Sequence, residues 1–269
     1  MIACAAFGQG PARKLSQPKL LDRVANQAEA FRRVAPTLLA DETLTQRTRR
    51  AGNAADYDTH EVISVYAFSG LPDAPGAIHE IRKVVSVDGK QVTSRAKARE
   101  AMTQGLHSSD DKVKRKLLED FEKHGLRGAV TDFGQVILLF SARRQKDFQF
   151  EPGGDLVVGV DRGLVLKYKQ MGGAGGVMVF RGNSAEKEAL QGELVVRETD
   201  GMPLRVTMNS TMKSKGGETR DTLEVNYVET GFGCVAPVSV KHQEYFKGEL
   251  VSENSFLYGP FRRIGDEVK

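Results

Sequence analysis

The sequence predicts an α+β protein in which a strongly curved antiparallel meander sheet wraps around helices. Three observations lead there. The region after Gly125 is a series of β-branched and aromatic runs separated by short glycine turns. Such turns join antiparallel neighbours and leave no room for the crossover helices that a parallel sheet requires. Several runs alternate apolar with polar residues, which gives the sheet one apolar and one wet face. The first half supplies helices with a single apolar stripe, the natural cover for such a face.

Residues 19–44 carry Leu20, Leu21, Val24, Ala28, Phe31, Ala35 and Leu38 at three- and four-residue spacing, one face of a helix that Pro36 kinks or breaks. Residues 51–59, with Gly52-Asn53, read as a loop. Residues 61–68 and 77–87 read as strands separated by a turn at 71–76, and Asp88-Gly89 is a tight hairpin signal. Thr93 and Ser94 are N-caps for a helix over 95–105. A second helix is capped by 108–111, presents Val113, Leu117, Leu118 and Phe121 on one face, and stops at Gly125. Residues 136–140 open the β-rich region. The strand candidates after it are 156–160, 164–170, 177–180, 189–197, 204–211, 222–229, 235–245 and 250–261, with turns at 161–163, 172–176, 200–201, 215–217, 231–233 and 247–248. Leu204, Val206 and Met208 share one face, as do Leu223, Val225 and Tyr227. The expected organisation is a leader remnant or disordered stretch over 1–16 and one α+β domain over 17–269, helix-containing over 17–128 and sheet over 129–269.

At 40% hydrophobic and 28% charged residues, the 269-residue chain has enough apolar surface to build a core without disulfides. No apolar stretch approaches the roughly 20 residues of a membrane-spanning helix, so no transmembrane segment is expected. Two cysteines, Cys4 and Cys234, exclude a cysteine-rich metal or disulfide framework. The net charge is +4, concentrated in residues 1–150, where 24 basic groups face 18 acidic ones. The clusters Arg47/Arg49/Arg50, Lys112–Lys116 and Arg143/Arg144/Lys146 read as solvated faces. Without a groove-entering motif or interleaved aromatics, no nucleic-acid partner is expected. The small apolar start up to Gly10 resembles the tail of a secretory signal, and Ile2-Ala3-Cys4 resembles the end of a lipobox. The expectation is a periplasmic or secreted protein, with a lipid anchor through Cys4 as a weaker alternative.

No catalytic or metal site is expected. His60-Glu61 and His79-Glu80 begin a zinc-protease motif, but Ser64 and Lys83 stand where the second histidine belongs. There is no Gly-x-Ser-x-Gly elbow and no phosphate loop. Gly231-Phe-Gly-Cys-Val-Ala236 imitates a dinucleotide fingerprint, but Pro237-Val-Ser-Val continues it as a strand, without the helix N-terminus that pyrophosphate needs. No cofactor is expected.

Gly192–Arg197, Thr199–Val206, Leu223–Tyr227, Val235–Val240, Tyr258–Arg263 and, upstream, Ile81–Lys90 together resemble a family of uncharacterised secreted acidobacterial proteins. Their sheet is similar to the lipoprotein-carrier (LolA-like) half-barrel. The resemblance implies an open half-barrel with N-terminal and inserted helices on its concave face, and a non-catalytic envelope protein that holds an apolar ligand or lipoprotein acyl chain there. The candidate cavity residues are Leu194, Val196, Leu204, Val206, Met208, Leu223, Val225 and Tyr227; the alternative for all eight is ordinary core packing. Two other readings stand beside it: an assembly module binding another envelope protein, and a hydrolase with an unmotifed carboxylate pair.

Overall fold

The computed structural model describes residues 16–50, 56–70, 78–108, 132–171, 177–181, 184–188, 190–214 and 216–266; of 177–188 it describes the backbone. The chain opens with helix α1 (Gln17–Val34), followed by a 3-10 turn (Ala35–Thr37) and strands β1 (Leu38–Arg49), β2 (Tyr57–Gly70), β3 (Ile78–Val87) and β4 (Lys90–Gln91). Helix α2 (Arg95–His107), a 3-10 segment (Val136–Phe140) and the single turn α3 (Ala142–Gln145) precede β5 (Phe148–Val158) and β6 (Asp161–Gln170). Then come β7 (Val177–Arg181), β8 (Ser184–Glu188), β9 (Gln191–Arg197), β10 (Pro203–Ser214), β11 (Gly217–Glu229), β12 (Val235–Phe246), β13 (Glu249–Tyr258) and β14 (Arg262–Arg263).

Twelve strands form one curled, unclosed antiparallel sheet in the order β4-β3-β2-β1-β13-β12-β11-β10-β9-β6-β5, with β14 also on β1. From β9 to β13 the order is the meander that the glycine turns predict. Two departures from sequence order matter. β7 and β8 pair only with each other, so β6 continues directly onto β9. β1 pairs with β13, Glu42 opposite Tyr258 and Thr48 opposite Ser252, so the first strand meets one of the last in mid-sheet.

Several expectations are corrected. The helix over 19–44 ends at Val34, and Leu38–Arg49 is strand. Pro36 breaks the helix, and buried Glu42 and Gln46 hide the two-residue alternation of Ala40, Glu42, Leu44 and Gln46 from a hydropathy reading. Residues 136–140 are not strand: five consecutive buried apolar residues make a 3-10 turn in the core. β5 starts at Phe148, ahead of the expected 156, and accommodates Pro152 through a register shift before Gly154. The expected turn at 161–163 lies one step earlier, at Gly159-Val160. The second helix over 108–125, the turns at 71–76 and 172–176, Cys4 and the N-terminal stretch through residue 15 lie outside the described residues.

The two helices cover opposite faces of the sheet. On the inner face, α1 buries Leu20, Val24, Ala28 and Phe31 in a core shared with the 3-10 segment and with β2, β6 and β9–β13. α2, in contrast to the expectation of both helices on one face, packs Ala98 and Met102 against Leu39, Val65, Ala67, Ile81 and Val85 on the outer side of β1–β3. Outward positions of those strands are as apolar as inward ones, so this part of the sheet needs cover on both sides. Ser94 caps α2, its Oγ accepting the Lys97 N–H at 3.2 Å.

The β3–β4 turn follows its sequence. Asp88 (φ 49°) and Gly89 (φ 74°) both have positive φ, the type I′ pattern. Nothing lies within 4 Å of where a Gly89 side chain would begin, so the constraint there is backbone conformation alone. Gly89→Val is expected to lower stability by about 1–2 kcal/mol, read as a shifted denaturant midpoint at unchanged slope. An unchanged midpoint would contradict a strained turn.

Candidate functional site

The inner face of β9–β11 holds all eight candidate residues. Leu194, Val196, Val206 and Val225 are fully buried, and Leu204, Met208, Leu223 and Tyr227 nearly so. The cross-strand pairs Leu194–Val206, Val206–Val225 and Met208–Leu223 make them one continuous apolar surface. They belong to the same core as α1 and the 3-10 segment. Arg205, their outward neighbour, donates from Nε to Asn226 Oδ1 at 2.9 Å on the other face.

What covers this surface is not a second sheet. α1 and residues 133–140 lie over it, and they are held by a few polar attachments. Gln17 Nε2 donates to the Phe150 carbonyl at 3.1 Å. Gln145 Nε2 donates to the Leu21 carbonyl at 2.7 Å and to the Phe140 carbonyl at 3.0 Å, binding α1 to the end of the 3-10 segment. The Tyr227 hydroxyl donates to the Gly134 carbonyl at 3.1 Å and accepts the Ile137 N–H at 3.0 Å. Burial pushes the Tyr227 phenol far above its usual range, so it stays a neutral donor. Phe133 lies against the His242 ring, with centroids 4.8 Å apart.

Beside this surface lies a buried charge cluster that the sequence reading missed. Arg82 on β3 donates from Nε to Glu42 Oε1 (2.8 Å) and Oε2 (3.1 Å), and from Nη2 to Glu42 Oε2 (2.8 Å) and Glu80 Oε2 (2.8 Å). None of the three residues is more than 2% exposed. The guanidinium also sits 5.0 Å from the Tyr66 ring and 5.4 Å from that of Phe256. Glu80 Oε1 accepts the Gly134 N–H at 2.5 Å, which ties the cluster to the 133–140 cover. The available signal was parity: Ile78, Glu80, Arg82 and Val84 are successive inward positions, so two charges sat on an apolar face.

The two His-Glu dipeptides are each clamped by an aspartate. In each, one aspartate takes the Glu N–H and the His Nδ1. Asp88 does so for His60-Glu61, both at 2.8 Å. Asp132 (φ 73°) does so for His79-Glu80, at 3.1 and 2.6 Å. The His60 contact, and after it the Glu61 N–H, hold the Asp88 carboxyl below its usual range. No cluster of three metal-ligating side chains occurs among the described residues. Among them, no helix is long and apolar enough to cross a membrane. Cys234 is a buried free thiol.

The opposite face carries a groove of about 580 Å³ across β5, β6 and β9–β11. Its walls are outward residues in two cross-strand rows, Glu151–Lys167–Glu193–Thr207–Glu224 and Gln149–Lys169–Gln191–Asn209–Thr222. The candidate apolar residues do not form it, except that Leu223 lies at its floor.

No family model matches the chain, and no curated protein matches it. Among solved structures, it is similar to an outer membrane lipoprotein-sorting protein domain from Vibrio parahaemolyticus (11% identity, TM-score 0.36, 91% of this chain and 95% of that chain). A DUF1329 family protein from Desulfovibrio piger is similar at 9% identity and TM-score 0.38, with 93% of each chain covered. A LolA superfamily protein from Nitrosomonas europaea is similar at 11% identity and TM-score 0.33, covering 92% of this chain and 96% of that chain.

The two faces of β10 give a direct test of packing. Val206→Asp is expected to destabilise by about 4 kcal/mol or more, because it places an unpaired carboxylate in the core. Arg205→Asp is expected to cost no more than about 1 kcal/mol. Equal thermal melts for the two variants would mean that the register is wrong.

Proposed function

We propose that the protein is a non-catalytic cell-envelope binding protein that takes up an apolar ligand or lipoprotein acyl chain on the inner face, in the place now filled by its own cover. The observation that carries this reading is the nature of the cover. α1 and residues 133–140 bury the apolar surface of β9–β11, yet neither belongs to the sheet. They can leave without breaking a rung of it. A departing helix exposes the surface formed by Leu194, Val196, Leu204, Val206, Met208, Leu223 and Val225, and an acyl chain recovers about 0.8 kcal/mol for each methylene buried there. The Ala35–Thr37 turn with Pro36, between α1 and β1, is the natural hinge.

Of the buried carboxylates, Glu42 and Glu80 are close together and both engaged by Arg82. A second reading, docking of another envelope protein, is favoured by β5. Among the described residues it ends the sheet, with no strand paired on its far side, and Val157 within it and Val160 just after it are 65% and 100% exposed.

Locking the cover tests the first reading. The Arg23 Cβ lies 2.9 Å from where a Cβ on Gly201 would sit. That is inside the roughly 3.5–4.5 Å of a relaxed disulfide, and Gly201 has φ 74°, so the bridge needs a small backbone shift in the Asp200-Gly201 turn. An Arg23→Cys/Gly201→Cys bridge is expected to abolish uptake of an apolar fluorescent probe, and reduction to restore it. Equal uptake by both forms would overturn the reading. For location, fractionation of the native host is expected to find the protein outside the cytoplasm; a cytosolic pool would overturn it.

A further inference from the structure

We propose that the Glu80 carboxyl is a proton-operated latch on the 132–140 segment: protonated, it holds the cover shut, and ionised, it lets the cover swing away as pH rises. The argument begins with a charge balance. Among the described residues of the cluster, two carboxylates share one guanidinium, and none of the three is more than 2% exposed. Ionised throughout, the cluster carries one surplus negative charge out of water. A proton removes it at far lower cost than burial does.

Geometry selects Glu80 as the proton's site. Glu42 takes three contacts from Arg82 and Glu80 takes one. Glu80 also has a waiting partner. The Tyr66 hydroxyl, fully buried, has no hydrogen bond among the described residues. Both Tyr66 Oη and Glu80 Oε1 lie within 2.9 Å of the point where a side chain on Gly134 would begin. The other groups facing Glu80 are Arg82 from its own strand, Glu42 from β1, Tyr258 from β13, Tyr227 from β11, and Asp132, which is itself in contact with His79. Burial, the largest influence, pushes the Glu80 carboxyl above the ordinary carboxylate range against the pull of Arg82.

The latch acts through two adjoining contacts. Glu80 Oε1 takes the Gly134 N–H, and the Glu80 N–H is taken by Asp132 Oδ1. Release of this corner removes one of two holds on Gly134; the Tyr227 hydroxyl, on the Gly134 carbonyl and the Ile137 N–H, is the other, and opening of the segment parts both. Once it is free, Glu80 meets water and falls back toward the ordinary carboxylate range. The closed state therefore binds the proton more tightly than the open one. Opening is pH-independent below the open-state midpoint, grows about tenfold per pH unit between it and the raised closed-state midpoint, and is level above that. The direction is opposite to that of an ordinary salt-bridged carboxylate, which loosens in acid.

The latch deepens the proposed function by stating when the cover moves, but exchange at the cover needs no ligand, so the two can fail separately. Native-state hydrogen exchange of the Gly134 and Ile137 amides, corrected for base catalysis, is the measurement. Their protection is expected to fall as pH rises, while the amides of Leu223 and Val225 in β11 hold theirs. The slope is expected to vanish in Glu80→Gln and to persist in His79→Asn. A slope absent from wild type, shared by β11, kept in Glu80→Gln or lost in His79→Asn would each overturn the latch. Should Glu80→Gln not fold, the Glu80 carboxyl is followed directly by carbon NMR in wild type. Its midpoint must coincide with that of exchange, and a midpoint within the ordinary carboxylate range overturns the proposal. Probe uptake that is absent at every pH, with exchange still following Glu80, supports the latch and removes the ligand reading.

Discussion

The pairing of β1 with β13 turns two strand systems into one sheet. β1 has β2 on one side and β13 on the other, and its inward residues lie between the two. Leu44 sits between Val62 and Phe256, Glu42 between Ser64 and Tyr258, and Gln46 donates to Asn254 Oδ1 at 2.7 Å. Without this pairing, β1–β4 would be a small sheet with helix α2 on one face and nothing to complete the other. The inner core that receives α1 draws on β2 and β13 alike, so the cover has a fixed place only because the two systems are joined.

The buried charges lie beside that junction, and stability does not explain them. An apolar set of similar volume would be neutral or better, since desolvating a guanidinium and two carboxylates offsets most of their attraction. What they add is position. Arg82 reads Glu42 on β1 with both ends of its fork, and Glu80 on its own strand with one. An apolar core tolerates small slips of one strand past another, whereas a bidentate contact does not. The same cluster then specifies where residue 134 enters the core.

The sheet was largely legible in the sequence, because β10 and β11 alternate and the strands after them are separated by glycine turns, and Asp88-Gly89 and Lys247-Gly248 are turn signals with positive φ at both residues. The placement of Val206 inside and Arg205 outside follows from the same alternation. What was not legible is where the periodicity misleads. β1 has inward Glu42 and Gln46, so its leucines read as the tail of a helix. Residues 136–140 are apolar at every position, a pattern that strand and buried turn share. The pairing of β1 with β13 leaves no local mark, since its partners are specified by shape and charge across the whole chain. The candidate apolar residues were identifiable as one surface; the Glu42–Arg82–Glu80 cluster was visible only as misplaced charge.

Gln46 and Asn254, hydrogen-bonded in the finished sheet, stand 208 positions apart in the chain. A chain made from its N-terminus has synthesised β1 long before β13 exists, so an open strand edge must wait through most of translation. Contacts of such separation are slow to form, because loop closure precedes any gain from pairing. The architecture is therefore one in which completion belongs to the last strands made, and a chain cut short before β13 is left with an unpaired edge in mid-sheet, ready to pair with another chain.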